Sequence, residues 1–170
     1  PNIKYLDFGG GFGVKTKSGK TFDFNFYKKF IVRLMQGVSS KLNHQITLIL
    51  EPGRVIGGEC AWFATKVVDI KRRWGHQFIG LNASSVQFPR SLFYPDSAYH
   101  PLIFFSKHNG YKINSSIYGC STYSKDYFVQ NKKLPLLKKG ELIIFGNAGS
   151  YCSSMFTEFL GFEKPKEIFI

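Results

Sequence analysis

Cysteine, acid and long apolar runs are what this sequence has least of. Three cysteines, Cys60, Cys120 and Cys152, stand far apart among 170 residues. They are too few and too scattered for a disulfide framework or a zinc site. Reduced thiols in a reducing compartment, the cytoplasm, are therefore expected, with no metal. No apolar stretch approaches the ~20 residues that a membrane helix needs, so a spanning helix is excluded and no membrane partner is expected. The N-terminal Pro1-Asn2-Ile3-Lys4 has no basic stretch leading into an apolar one, so no leader peptide is read there. Low-complexity tracts and internal repeats are also missing, which removes solenoids and propellers.

Acid is scarce: 11 Asp and Glu face 23 Lys and Arg, a net charge of +12 that attracts anions. Nucleic acid is one such partner, and 18 Phe could stack on bases. Most of these Phe lie among other apolar residues, as in Phe22-Asp23-Phe24-Asn25-Phe26, and read as core. The cations are dispersed, and the short clusters Lys71-Arg72-Arg73 and Lys138-Lys139 read as solvated turns. A basic nucleic-acid-binding β domain is thus an alternative resting on charge alone, and no nucleic-acid partner is expected.

What is present is a chain that can bury a core, at 44% hydrophobic residues. Its length suits one domain, or a small domain with a fragment of another. Ile3 to Phe8 reads as a buried strand stopped by Gly9-Gly10-Gly11. Thr21 or Asp23 offers a helix cap, and Phe26, Phe30 and Leu34, with Tyr27 and Ile31 beside them, form an amphipathic stripe ending near Gly37. Ile46 to Leu50 is a second strand, cut by Pro52-Gly53. Strand, helix, strand predicts a βαβ unit with parallel strands. Beyond it, Ala64 to Lys71, Gln77 to Leu81, Leu102 to Phe105, Lys112 to Ile117 and Leu142 to Phe145 are β-rich. They are punctuated at Gly75, Asn109-Gly110 and Gly146-Asn147, with Pro135 to Gly140 as a connector. Strands without intervening helices predict an antiparallel sheet or barrel.

Two glycine loops carry possible chemistry. Gly9-Gly10-Gly11-Phe12-Gly13 follows a strand, where glycines let backbone N–H groups approach an anion. The dinucleotide pattern fails, since its last glycine would fall on Val14 or Thr16. The P-loop ending Gly19-Lys20-Thr21 is present, but Val14 holds the place of its first glycine. A phosphate cradle and a plain strand-to-helix turn both remain open. The second loop, Glu51-Pro52-Gly53-Arg54, ends the next strand. Successive strands of a parallel sheet or barrel end on one face, so the loops share a rim, with Glu51 and Arg54 there either as a surface ion pair or as site groups.

These two segments, in this order, resemble the signatures of the ornithine/diaminopimelate/arginine decarboxylases. Gly146-Asn147-Ala148-Gly149-Ser150-Tyr151 resembles that family's GAY segment, and Phe159-Leu160-Gly161-Phe162 with Pro165 resembles its FNGF ending. The resemblance, nearest to the diaminopimelate branch, covers essentially the whole chain. It implies a pyridoxal 5'-phosphate enzyme: an alanine-racemase-like (β/α)8 barrel followed by a β domain. The chain would then comprise the last two βα units of the barrel (1–62) and the β domain (63–170), whose final segment could return toward the barrel. By the same resemblance, Gly9, Gly10, Gly11, Gly53 and Arg54 hold the cofactor phosphate, Glu51 pairs with the pyridine nitrogen, and Tyr151 closes over the cofactor. Arg90-Ser91-Leu92-Phe93-Tyr94 resembles the RPxLY segment, in which Arg90 and Tyr94 hold a substrate carboxylate, with Ser91 in place of Pro. Tyr99-His100 resembles a YH pair, with His100 read as structural.

The chain also departs from the family. Gly119-Cys120-Ser121-Thr122-Tyr123-Ser124-Lys125-Asp126 keeps the outer Gly and Asp of G-x-x-C-[DE]-x-x-D, a segment given across a homodimer interface. Thr122 stands at the cysteine that protonates the reacting carbon, a far weaker acid. Tyr123 stands at the acid that reads the substrate's distal amine, which weakens the case for diaminopimelate or ornithine. The family's Schiff-base lysine lies early in the barrel, outside this chain. Pro1 is therefore not expected to be a natural start, and the missing barrel portion is an expected partner, in the same or a companion chain. The reading is an amino-acid decarboxylase lacking its lysine, with a non-catalytic relative that pairs with an active decarboxylase as the alternative.

Overall fold

The computed structural model describes residues 2–94, 98–106 and 110–170. The chain forms two compact units, residues 1–57 and 58–170.

The first unit is a βαβ arrangement. Strands β1 (Tyr5–Asp7) and β2 (Thr47–Ile49) pair in parallel, Leu6 opposite Leu48, on either side of helix α1 (Phe24–Leu42). Of the two candidate caps it is Asp23 that starts the helix, accepting the Phe26 N–H at 2.8 Å. The helix runs past Gly37, contrary to expectation. One glycine costs about 1 kcal/mol in a helix, less than the following turn recovers, and the stop is Asn43 in the left-handed conformation, its N–H on Ser39 and Ser40 carbonyls. The buried stripe is also rotated. Ile31 is buried and Tyr27, Leu34, Met35 and Val38 are half-buried, whereas Phe26 and Phe30 are exposed. Phe12 supplies the local core, its ring 5.0 Å from that of Phe22 and 5.3 Å from that of Tyr27.

The second unit is a curled mixed sheet in the order β5-β8-β3-β4-β6-β7. Its strands are β3 (Phe63–Arg73), β4 (His76–Leu81), β5 (Leu102–Phe104), β6 (Lys112–Tyr118), β7 (Tyr127–Pro135) and β8 (Leu142–Phe145). Long β3 pairs with β8 through Phe63–Lys66 and with β4 from Val67 onward, with an irregularity between Val67 and Asp69. The expected antiparallel pattern is corrected at one place: β4 and β6 run parallel, His76 opposite Asn114. Between β4 and β6 the chain adds β5 at the far edge of the sheet, and β6 runs in the direction of β4. Strand β7, which the sequence reading lacks, is disguised by Asn131-Lys132-Lys133, where Asn131 takes a φ of 49°. The expected turn residue Asn109 lies outside the described residues.

The core of this unit is Val67, Ile79, Leu81, Phe88, Ile117, Leu134, Leu137, Ile143, Phe145 and Cys152. Phe63 stacks on Phe88 with centroids 4.7 Å apart. On the sheet's other side, the Tyr118 hydroxyl crosses β4 to donate to Asp69 Oδ2 at 2.7 Å. Burial and this carboxylate push the Tyr118 phenol up to about 12 from 10.0. A raised phenol pKa means that folding favours the protonated form. The stabilisation is whole below pH 10 and is lost as pH rises through 12. Urea-unfolding midpoints of wild type and Tyr118→Phe are therefore expected to converge between about pH 8 and about pH 11.5, with the wild type losing more over that range.

Candidate functional site

The rim of the first unit is built by the ladder continuing past its strands. Phe8 N donates to Ile49 O at 3.1 Å and Glu51 N to Gly9 O at 2.8 Å. Glu51 is thereby pinned beside the glycine loop. Gly9 and Gly11 have φ of 62° and 84°, the left-handed region where glycine is favoured, and the Gly9 N–H is turned onto Asp7 Oδ1 at 2.8 Å. Gly10 is fixed by proximity instead: a Cβ there would lie 2.5 Å from the Glu51 carbonyl oxygen. The Glu51 carboxylate is on the same side, with Oε2 3.9 Å from where a Gly9 Cβ would be. Gly53 and Arg54 follow directly and open the short helix α2 (Arg54–Gly57). Gly9, Gly10, Gly11 and Glu51 are thus in one place, with Gly53 and Arg54 next along the chain. The P-loop-like Gly19-Lys20 is a reverse turn, Gly19 N on Thr16 O and Thr16 N on Lys20 O, both at 2.9 Å.

The second unit holds a separate cluster around Arg90. This residue opens helix α3 (Arg90–Phe93) and is buried, 7% exposed. Its guanidinium carbon lies 4.8 Å from the centre of the Tyr94 ring and 5.9 Å from that of Tyr151. A planar cation between two phenol faces is held by cation–π attraction and by shape. Tyr151 sits at φ 56°, uncommon for a bulky side chain, so its position is imposed by its surroundings. The sequence reading did not join Arg90 to Tyr151, which lie 61 positions apart in the numbering. His100 is structural: its Nδ1 is 2.9 Å from Gly146 O and its ring packs on Phe88.

The third group is the loop from Gly119 to Asp126. Thr122 is exposed, and half-buried Tyr123 turns its ring edge-on to Phe159 at 5.8 Å. Cys120 is exposed, and burial of its sulfur together with the Asp126 charge raises its thiol pKa. It is therefore a poor stand-in for an acidic cysteine. The outer Gly and Asp have a direct reason: a Cβ on Gly119 would overlap the Asp126 carboxylate. Asp126, which the sequence reading noted as the motif's outer Asp without giving it a role, is buried and bonded to Ser85 and Ser121. Among the described residues, no group of three or more His, Cys, Asp or Glu could hold a metal ion.

Comparison with known proteins places these features in a family. Residues 15–149 match the model of the pyridoxal-dependent decarboxylase C-terminal sheet domain. The chain is 28% identical to the diaminopimelate decarboxylase of Helicobacter pylori over 159 residues, which is 93% of this chain and 37% of that protein. The crystal structure of the H. pylori enzyme complexed with L-lysine superposes with a TM-score of 0.77 at 27% identity, over 92% of this chain and 37% of that one. The M. jannaschii diaminopimelate decarboxylase in co-complex with L-lysine superposes with a TM-score of 0.83 at 26% identity, covering 96% and 37%. The chain thus spans well under half the length of these relatives.

The Gly119 contact gives a test. Gly119→Ala is expected to cost about 1–3 kcal/mol, the range for overpacking, whereas Thr122→Ala, on the exposed part of the same loop, stays within about 0.5 kcal/mol. Urea-unfolding midpoints of the two variants measure the difference.

Proposed function

The chain belongs to the pyridoxal-dependent decarboxylases, whose C-terminal sheet domain it carries, and we propose that it forms part of an amino-acid decarboxylase using pyridoxal 5'-phosphate. The observation that carries this reading is the rim of the first unit. Three glycines free of Cβ and a carboxylate stand side by side there, with Gly10 so close to the Glu51 carbonyl that no side chain fits. This donor set fits a phosphate and a protonated ring nitrogen. The cofactor, when bound, supplies an electron sink for the pair left behind as CO2 departs.

The chain's own residues then divide the work. The N–H groups of Gly10, Gly11 and Gly53 and the Arg54 guanidinium would bind the phosphate, with Gly9, whose own N–H is held by Asp7, giving the backbone room to approach it. Glu51 holds a proton on the pyridine nitrogen, since a carboxylate in contact favours the cationic form. Tyr151 covers the cofactor. Arg90, pre-oriented by the Tyr94 and Tyr151 rings, grips a substrate carboxylate as a fork. Thr122, a weak acid, would stand at the position of the proton donor to the reacting carbon, and Tyr123 would meet the substrate's distal end. Residues 1–62 complete a (β/α)8 barrel and 63–170 form the β domain. The rest of the barrel, with the lysine that anchors the cofactor, comes from a portion outside this chain. Two observations support that need. The chain covers 37% of the H. pylori relative. A lone two-stranded parallel sheet is not a stable unit, since parallel sheets are normally covered on both faces, yet Tyr5, Phe26 and Phe30 are exposed. A homodimer lends the Gly119–Asp126 loop to the neighbouring site.

A second reading is favoured by Thr122 and Tyr123: a non-catalytic relative that pairs with an active decarboxylase. The assembly purified with its remaining barrel portion separates the two. Borohydride reduction followed by intact-mass measurement is expected to reveal a pyridoxyl adduct on a lysine outside residues 1–170. CO2 release is expected from one of diaminopimelate, ornithine, arginine or lysine. Glu51→Gln should lower kcat about 10²-fold or more, as for loss of a charge-stabilising contact. No CO2 from any of the four, with or without an adduct, overturns the enzyme reading and favours the regulatory one.

A further inference from the structure

Asp126 is a buried carboxylate, 4% exposed, and among the described residues no lysine or arginine forms an ion pair with it. Its stabilisation comes from donors instead. Oδ1 accepts the Ser85 N–H at 2.6 Å, and Oδ2 accepts the Ser121 N–H at 2.9 Å and the Ser121 hydroxyl at 2.5 Å. Burial raises its pKa, but these bonds more than offset that, and the group ends below the ordinary carboxylate value.

The donors belong to two different parts of the chain. Ser121 is in the loop that carries Thr122 and Tyr123. Ser85 lies five positions before Arg90, in a segment that makes two tight turns, Gln87 N to Ser84 O and Phe88 N to Ser85 O, before α3 begins. Backbone bonds run the same way: Cys120 N donates to Ala83 O at 3.1 Å, Gly119 N to Asp126 O at 2.8 Å and Asp126 N to Tyr123 O at 3.0 Å. One carboxylate therefore closes the loop on itself and bolts it to the approach to Arg90.

We propose that Asp126 is a positioning residue that sets the Thr122–Tyr123 loop and the Arg90 segment in one fixed relation, so that substrate recognition by the two depends on a single anion. This rests on the decarboxylase reading. An apolar residue could fill the space and hold the core, but it could not order two sets of N–H donors at once. If the loop serves a neighbouring site in a dimer while Arg90 serves its own, Asp126 also couples the two sites mechanically.

The test uses the complete assembly with Asp126→Asn, which keeps the shape and one acceptor, and Ser121→Ala, which removes one donor. Thermal unfolding reads the fold. Iodoacetamide labelling followed by mass spectrometry reads the loop, with Cys120 as reporter and Cys60 and Cys152 as internal references. Cys120 is expected to label several-fold faster in Asp126→Asn, and also faster in Ser121→Ala, where the Asp126 charge that raises the thiol pKa is kept, while Cys152 stays protected. KM for the amino acid should rise about tenfold, the scale of a small misplacement of binding groups, with Ser121→Ala between it and wild type. A residue that only held the fold would reduce the active fraction, and so kcat, at unchanged KM. Unchanged KM and unchanged Cys120 labelling in Asp126→Asn overturn the proposal and leave the decarboxylase reading standing. A wild-type assembly that releases no CO2 ends that reading, and the labelling result then decides alone whether Asp126 anchors the loop.

Discussion

The sheet of the second unit depends on a buried amide. Strands β6 and β7 join the remaining strands only through β4, and β4 meets β6 in parallel, with no hairpin to fix their register. Gln77, fully buried on β4, does that work: its Nε2 donates to the Ser115 hydroxyl and to Pro135 O, both at 3.1 Å, and its Oε1 accepts the Leu137 N–H at 2.9 Å. One side chain thus ties β4 to β6, to the end of β7 and to the connector beyond it. Each donor and acceptor is used, which is the condition for a polar group to favour one core arrangement over others. A residue one place out of register would bury these groups unpaired, at about 1–3 kcal/mol each.

From this fixed sheet the chemistry of the second unit follows. Phe88 packs into the core, and Arg90 comes two residues later, so the guanidinium is carried on a segment that cannot drift. The first unit works by another principle. Its glycine loop is held by a ladder that outlasts the strands, by a contact too close for a side chain, and by the buried Phe12 ring within it. One unit presents N–H groups and a carboxylate; the other presents a cation, phenols and a hydroxyl.

What the sequence made legible follows the range of the interactions involved. The βαβ unit, the glycine turns and the Asp23 cap are set by neighbours in the chain, and they are where periodicity and turn chemistry put them. The helix end was misread because Gly37 looks like a stop, while the residue that ends the helix is Asn43, whose left-handed backbone is a local but less obvious sign. The parallel β4–β6 pair, the rotation of the α1 stripe and strand β7 depend on which elements become neighbours in space. The site divides in the same way. Gly9, Gly10, Gly11 and Glu51 share a rim because consecutive parallel strands must end together. The meeting of Arg90 with Tyr151, and of Asp126 with Ser85, joins residues 61 and 41 positions apart, for which spacing carries no signal.

The Gly119–Asp126 loop shows how such a site can change its chemistry without changing its frame. Gly119, Ser121 and Asp126 form the frame, through a contact with no room for a Cβ and three donors on one carboxylate. The Thr122 hydroxyl and the Tyr123 phenol are not among the partners of that carboxylate, so a change of side chain there leaves its bonds in place. A hydroxyl in place of a thiol keeps a hydrogen-bond donor but loses acidity. A phenol in place of a carboxylate keeps reach but loses the charge that an ammonium group would seek. The two positions that depart from the family motif are therefore side-chain changes carried on a frame that Gly119, Ser121 and Asp126 hold.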